Sequence, residues 1–382
     1  MAPRLVVVTE IIAPYRIPAF NALARRPELE LHVLFLSEND PVLRQWRVYK
    51  DEIRFQYAVL PSWRHRLGKY NVLINRGMQS TLNKIRPNVV MCGGYNYFAS
   101  WQSAFWAQSR RIPLLLWSES TALDERKRYR LVEFLKARFL SLCTAFVVPG
   151  KSSLQYLKDL GVSNHYIFTA PNSVDLSFFS KAAEAAQGDR SQVRRRLALP
   201  PRYFLYVGRL VRAKGVFDLL EAYSRLDDQL RSSIGLVFVG DGPARQEVME
   251  RASRVSGEVR FYGFVHREGL PEFYASADAL IFPTHSDTWG LVVNEAMSCG
   301  LPIIVTQVAG CVADLVEDNW NGFVIPPQNP EQLAEAMARL ANDPALEAEM
   351  SSRSRERIAA YSPEAWAQGM VNAVGSVCGR QR

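Results

Sequence analysis

Four stretches in the second half of the chain combine residue types and spacings suited to chemistry. In HSDTWGLVVNEAMSCGLPIIVT the carboxylates Asp287 and Glu295 stand eight positions apart, with Trp289-Gly290 between them and an apolar run behind. The segment leaves a strand after Pro283 and enters a helix near Leu291. The backbone N–H groups of Thr288, Trp289, Gly290 and Leu291 therefore fall at a helix N-terminus, where anionic oxygens bind readily. An ionised carboxylate is a strong acceptor for sugar or ribose hydroxyls. The same spacing also fits Asp287 as a helix cap and Glu295 as a solvent-facing helical acid.

In YFLYVGRLVRAKGVFDLL a strand ends at Val207, Gly208 allows a tight turn, and Arg209 and Lys214 follow before a helix. Two cations beside free helix N–H groups suit a phosphate or diphosphate; two solvated surface cations are the plain alternative. Gly240-Asp241-Gly242-Pro243 makes a sharp strand-to-helix turn that is either structural or the edge of a ligand site. Gly263-Phe264-Val265 closes a strand onto a loop able to present backbone groups to a flat base. Tyr274 and Asp278 read as helix-packing and turn residues.

These residues need a scaffold, and the chain supplies one. Continuously apolar runs (RLVVVT, LELHVLFL, FQYAVL, NVVMCG, PLLLW, TAFVVP, YIFTAP) alternate with amphipathic stretches such as IPAFNALARR, VLINRGMQSTLNKI and ERKRYRLVEFLKARFLSLC. Unbroken apolar strands between helices predict parallel sheets covered on both faces. Residues 172–202 interrupt this rhythm with NSVDLSFF, AAEAAQGDR and RRRLALPPR, and 176–199 read as a linker; the α/β pattern then restarts. Two doubly wound domains are expected, over 1–175 and 200–364, with ligands beyond the carboxyl ends of the strands and the inter-domain cleft as the default site. A helix starting near Pro363 is expected to return residues 365–382 to the N-terminal domain.

Resemblance brings these stretches together. VGRL with Lys214, VGDGP, YGF, Asp287 and Glu295 around WGL, and AMSCGLPIIVT, in that order, resemble the C-terminal domain of family-4 retaining glycosyltransferases of the GT-B fold. The resemblance implies two Rossmann-like domains and transfer of a sugar from a nucleotide-diphosphate donor to an acceptor hydroxyl, with retention of configuration. It assigns the donor diphosphate to Arg209 and Lys214, the ribose to Glu295, phosphate and sugar to the N–H groups of Thr288, Trp289, Gly290 and Leu291, and the base to Val265. Gly240 lies at the donor edge. The family has Glu at the first acid of its pair; here that place is Asp287, one methylene shorter, which bears on the sugar contact. Members work without bound divalent metal or cofactor. The departing phosphate takes the acceptor proton, and the base is of uridine or guanosine type.

The N-terminal half is expected to hold the acceptor. The loop after the first strand has Ala13-Pro14-Tyr15-Arg16 where relatives have a Gly-Gly pair, and Arg16 is in reach of a donor or acceptor phosphate or lies on a surface loop. Relatives place a His or acid after the LLLW strand, facing the transferred sugar. Glu119 stands there as a candidate acceptor-side base, with helix N-cap as the rival reading. Gly93-Gly94-Tyr95 are further lining candidates, of which Gly94 and Tyr95 are taken to the acceptor side.

The bulk properties bound the partners. The chain has 382 residues and ordinary globular composition, 48% hydrophobic and 22% charged. Its net charge of +8 is uneven: residues 1–180 carry 24 Lys+Arg against 13 Asp+Glu, an excess of 11, and the remainder is at −3. Arg126, Lys127, Arg128, Arg130, Lys136 and Arg138 form a basic run in a helix whose Leu131, Phe134, Leu135, Arg138 and Phe139 share helical spacing. Trp63, Arg64, His65 and Arg66 add an aromatic-basic cluster. A basic N-terminal half suits an anionic membrane surface or a lipid-diphosphate acceptor, though such a helix ordinarily packs its apolar stripe on its own sheet. No nucleic-acid module or stacking platform accompanies the basic charge, so nucleic acid is not an expected partner. Five scattered cysteines without metal spacing, and an N-terminus that reads as a first strand, point to a reducing, cytoplasmic setting, peripheral on the membrane's inner face.

Overall fold

Four-residue runs such as Val89–Cys92, Leu114–Trp117 and Ala145–Val148 bury every side chain, the signature of parallel strands covered by helices on both faces. A computed structural model describes residues 2–40, 46–67, 70–123 and 130–379 of the chain. It divides into two units, one of Met1–Ser120, Glu125–Ser173 and Ser362–Arg382, the other of Thr121–Asp124 and Val174–Tyr361.

The first unit contains β1 (Arg4–Thr9), β2 (Glu30–Phe35), β3 (Gln56–Val59), β4 (Ser62–Leu67), β5 (Tyr70–Asn75), β6 (Val89–Cys92), β7 (Leu114–Trp117), β8 (Ala145–Val148) and β9 (Ile167–Thr169). Its helices are α1 (Ile17–Ala24), α2 (Met78–Ile85), α3 (Phe98–Ser109), α4 (Arg130–Leu140) and α5 (Lys151–Asp159). Seven strands form one parallel sheet in the order β3-β2-β1-β6-β7-β8-β9, and β4 and β5 pair as a separate antiparallel hairpin.

The second unit contains the helices α6 (Leu176–Gly188) and α7 (Arg190–Arg196), then β10 (Tyr203–Val207), α8 (Val216–Arg225), α9 (Asp228–Ser233), β11 (Gly235–Val239), α10 (Arg245–Ala252) and β12 (Val259–Phe261). It continues through α11 (Leu270–Ser276), β13 (Ala279–Phe282), α12 (Leu291–Ser298), β14 (Ile303–Thr306), α13 (Val312–Leu315), β15 (Gly322–Ile325), α14 (Pro330–Asn342) and α15 (Pro344–Ile358). All six strands are parallel, in the order β12-β11-β10-β13-β14-β15. Counted within the unit this is 3-2-1-4-5-6, the Rossmann order, whose topological switch point lies between β10 and β13.

The last helix, α16 (Pro363–Cys378), belongs to the first unit. Ser362 caps it by accepting from the Ala365 N–H, and Pro363 opens it. Trp366 is fully buried, with its ring 5.4 Å from Phe20 and 5.5 Å from Trp117.

Three sequence expectations change. Residues 176–199 are no linker: α6 and α7 bury Phe179, Ala183, Ala186 and Val193 in the second unit's core, because their small residues sit at helical spacing as well as on a flexible path. In VLINRGMQSTLNKI the β-branched start is strand β5, and the helix begins only at Met78, past Gly77 in a left-handed conformation. In α4 the apolar stripe faces out: Leu131, Phe134 and Leu135 are exposed, whereas Phe139 and Lys136 are buried. Lys136 pairs with Glu133 and donates to the Tyr156 hydroxyl (3.0 Å), so the expected basic face is partly turned inward. Arg126, Lys127 and Arg128 lie outside the described residues, as does the side chain of Arg66. Among the described residues no helix is long and apolar enough to cross a membrane.

Candidate functional site

The loops leaving β10 and β13 bring the strongest candidates together at the switch point of the second unit. After β10 the chain runs through Arg209 into a short turn, Arg212–Lys214, before α8. This turn packs so closely on the exit of β13 that a Cβ at Gly215 would stand 1.8 Å from the Pro283 carbonyl oxygen; only glycine fits, and its φ is +68°. The Lys214 ammonium is thereby delivered to the loop after β13, where it pairs with the Asp287 carboxylate and donates to the Ser286 carbonyl (3.2 Å). Arg209 is exposed beside it in sequence. Gly240 serves the same packing: a Cβ there would come within 1.9 Å of the Gly208 oxygen, and the neighbouring loop is tied by the Leu210 N–H to the Asp241 oxygen (2.9 Å).

Asp287 holds its own loop. Its Oδ1 accepts the Trp289 N–H (3.0 Å), while its Oδ2 faces Lys214. The Trp289 side chain is buried, its indole N–H donating to Asn294 Oδ1 (2.8 Å). Its backbone is engaged as well, the N–H by Asp287 and the carbonyl oxygen by the Cys311 N–H (3.2 Å), so of the four N–H groups expected to meet phosphate this one is taken up within the loop. Gly290 is the N-cap of α12, and Leu291 is its first residue. The first N–H groups of a helix have no intrahelical partner. Thr288 is half-buried in the same loop. His285, two residues upstream of Asp287, meets Asp218 of α8 (2.6 Å) and donates its backbone N–H to Ala213 (2.9 Å), tying the two loops a second time.

Glu295 lies on the second turn of α12 and is partly buried. Tyr274 of α11, read from sequence as a packing residue, is fully buried, and its hydroxyl donates to Glu295 Oε2 (2.7 Å). Burial pushes the Glu295 carboxyl up to about 7, against the opposite pull of this hydrogen bond and of Arg267. Tyr274 and His285 are contacts that sequence reasoning missed. The tyrosine sits 21 positions before its partner, and no local spacing reports a bond of that range. Val265 is half-buried against the core, while its neighbour Phe264 stands out to solvent.

The first unit places its candidates at the carboxyl ends of its own strands. Arg16 is nearly buried: its guanidinium donates to Asn172 Oδ1 (2.7 Å), pairs with Glu119 and lies over the Trp117 ring (4.6 Å to the centroid). The two acceptor-side candidates thus hold each other, and Glu119 caps no helix among the described residues, since 120–123 directly after it are not helical. Tyr15 meets Trp46 edge-on (5.8 Å). Gly94 has open space around it, and Tyr95 turns towards Phe139 (6.1 Å). Arg64 on the hairpin pairs with buried Asp40 and approaches Glu10 (4.0 Å), closing a second charged cluster.

Two cations, one ion-paired acid and a helix N-terminus at one sheet end can hold a diphosphate; a partly buried carboxylate one turn into the helix can accept from a hydroxyl pair. Residues 189–357 match the family model of glycosyl transferases group 1. The chain is 29% identical over 256 residues to the teichuronic acid biosynthesis glycosyltransferase TuaC of Bacillus subtilis, covering 66% of this chain and 61% of that protein. It is 32% identical over 199 residues to D-inositol 3-phosphate glycosyltransferase of Thermomonospora curvata, covering 49% and 44%. The chain thus spans about half the length of the curated relatives it matches. In fold it is similar to Anabaena HepE, whose structure holds UDP, at a TM-score of 0.77 with 16% identity, covering 98% of this chain and 100% of that one. Residues 189–357 thus match the glycosyl transferases of group 1, and with its Rossmann-ordered sheet and full-length fold likeness the chain has the GT-B fold of two Rossmann-like domains.

Proposed function

We propose that the protein transfers a sugar from a nucleotide-diphosphate donor to an acceptor hydroxyl, with retention of configuration, in assembly of a cell-surface polysaccharide or glycolipid. One observation carries the reading: Lys214, Asp287 and the N-terminus of α12 converge at the switch point between β10 and β13, where an open α/β sheet binds its ligand. Arg209 and Lys214 take the diphosphate together with the N–H groups of α12, and stabilise the charge that develops on the leaving phosphate. Glu295 takes the ribose hydroxyls, and Val265 flanks the base. This cationic set does the work a divalent ion does elsewhere, so no metal is invoked. Acceptor binding falls to the first unit, around Tyr15, Arg16, Gly94, Tyr95 and Glu119, with the chain peripheral on an anionic membrane.

The relatives' names cover both polymer assembly and a small phosphorylated acceptor, so a diffusible acceptor is the second transferase reading. Asp287 favours one further alternative, a sugar-nucleotide binder without transfer. Its short carboxylate is already engaged by Lys214 and the Trp289 N–H instead of reaching for sugar hydroxyls. Thermal shift against UDP-, GDP-, TDP- and ADP-sugars tests the donor site: one class should raise Tm, and should do so equally in excess chelator. No shift with any of them overturns donor binding. A shift without nucleotide release, with or without added acceptor glycans, selects the non-catalytic binder.

A further inference from the structure

The outward apolar stripe of α4 has a neighbour. On α3, Phe98 and Phe105 are 59% and 57% exposed; on α4, Leu131, Phe134 and Leu135 are 69%, 65% and 42% exposed. The two helices meet through Trp101 and Phe139, whose rings are 5.0 Å apart, and through the Gln108 side-chain N–H on the Leu142 oxygen (2.8 Å). By helical spacing Phe98 and Phe105 flank Trp101 and Leu135 stands one turn before Phe139, so these three exposed side chains adjoin the seam, and Leu131 and Phe134 continue from Leu135 along the outer face of α4. Five large apolar side chains together are more than the scattered exposure usual on a soluble surface. An open cavity of about 680 Å³ runs along the next face of α4, with Leu140, Phe146, Leu160, Val162 and Tyr166 in its wall.

We propose that the α3–α4 face inserts its apolar side chains into the interfacial region of a lipid bilayer. This rests on the membrane association proposed above but gives it a different physical basis: apolar insertion rather than adsorption by basic charge. The occupant follows from the charge around the patch. Arg130 and Arg138 are exposed at the two ends of the stripe on α4, and Arg110 and Arg111 are exposed just beyond α3. Apolar and aromatic side chains bordered by long cations whose stems reach past the acyl boundary to phosphate form the pattern of an interfacial helix. A twofold contact with a second copy would instead bring the arginines of each copy against those of the other.

Co-sedimentation with vesicles of zwitterionic lipid, and of the same lipid with an anionic fraction, separates these cases at about 0.1 M and about 1 M salt, where the screening length falls from about 10 to about 3 Å. Binding to anionic vesicles should survive the higher salt, and Phe105→Ser, Leu131→Ser and Phe134→Ser should each weaken it about tenfold without moving Tm, since these side chains are exposed. A Phe134→Trp variant should be quenched by brominated acyl chains. Binding lost in high salt and indifferent to the serine substitutions overturns apolar insertion and leaves electrostatic adsorption standing. No binding to any vesicle removes membrane association altogether, and wild-type dimers dissolved by the same substitutions assign the face to a second copy.

Discussion

In the second unit the loops after β10 and β13 carry Arg209 exposed and Lys214 half-buried, held by a loop carboxylate, a carbonyl oxygen and the Phe282 ring (5.9 Å to the centroid). In the first unit the corresponding ends of the sheet carry Arg16, nearly buried and engaged by Glu119, Asn172 and the Trp117 face. The strand orders are alike, each with its switch point beside its first strand, yet one end leaves an arginine exposed and the other sets its arginine in a nearly buried cluster. Shared topology therefore does not give shared chemistry. Each end pairs a cation with an internal acid, Lys214 with Asp287 and Arg16 with Glu119; what separates the two is depth, since Arg16 is nearly buried while Arg209 is exposed.

Substitutions at the two ends should separate accordingly. Lys214→Ala should lower transfer about 10²- to 10³-fold with little change in Tm, as removal of one stabiliser of developing charge does elsewhere; a fall of less than about threefold would remove Lys214 from the donor clamp. Arg16→Ala should act mainly on stability, by about 1–3 kcal/mol, because it removes the donor to Asn172 Oδ1 and the cation paired with Glu119. Chemical denaturation reads this, and an unchanged midpoint with lost transfer would make the first unit's end as ligand-directed as the second's.

The smaller effect concerns pH. The Glu295 carboxyl is raised from its ordinary 4.5 to about 7, so the folded chain holds that proton more tightly than the unfolded one. The resulting contribution to stability is complete below about pH 4.5 and lost as pH rises through about 7. Donor binding runs the opposite way, because the ionised form accepts ribose hydroxyls: the donor Kd should tighten as pH rises through about 7. Glu295→Gln should abolish this dependence. Tyr274→Phe removes a bond that favours the carboxylate and should move the midpoint upward. Calorimetric titration of the donor across this range checks wild type and both variants; superimposable curves for wild type and Tyr274→Phe would take Tyr274 out of the site.

Much of the second unit was legible because its chemistry is local. Strand, glycine turn, charged residue and helix start follow one another within about a dozen residues at each loop, and apolar runs of four or five mark the buried strands. Residues 176–199 were misread because small and polar residues suit both a flexible path and a helix, and burial alone decided between them. In α4 the helical spacing was visible but not its rotation, since periodicity defines an apolar face without saying what that face meets.

The sequence by itself determined the alternating β and α elements, the switch-point loops and the identity of the ionisable groups, all consequences of short-range pattern and turn chemistry. Tertiary structure alone decided which groups satisfy one another. Arg16 meets Asn172 across 156 positions and Glu119 across 103; Lys214 meets Asp287 across 73. Tyr274 meets Glu295 because α11 and α12 pack in one core. Such pairings depend on which strands lie side by side, and burial then sets whether a charge is available to a ligand or consumed within the fold.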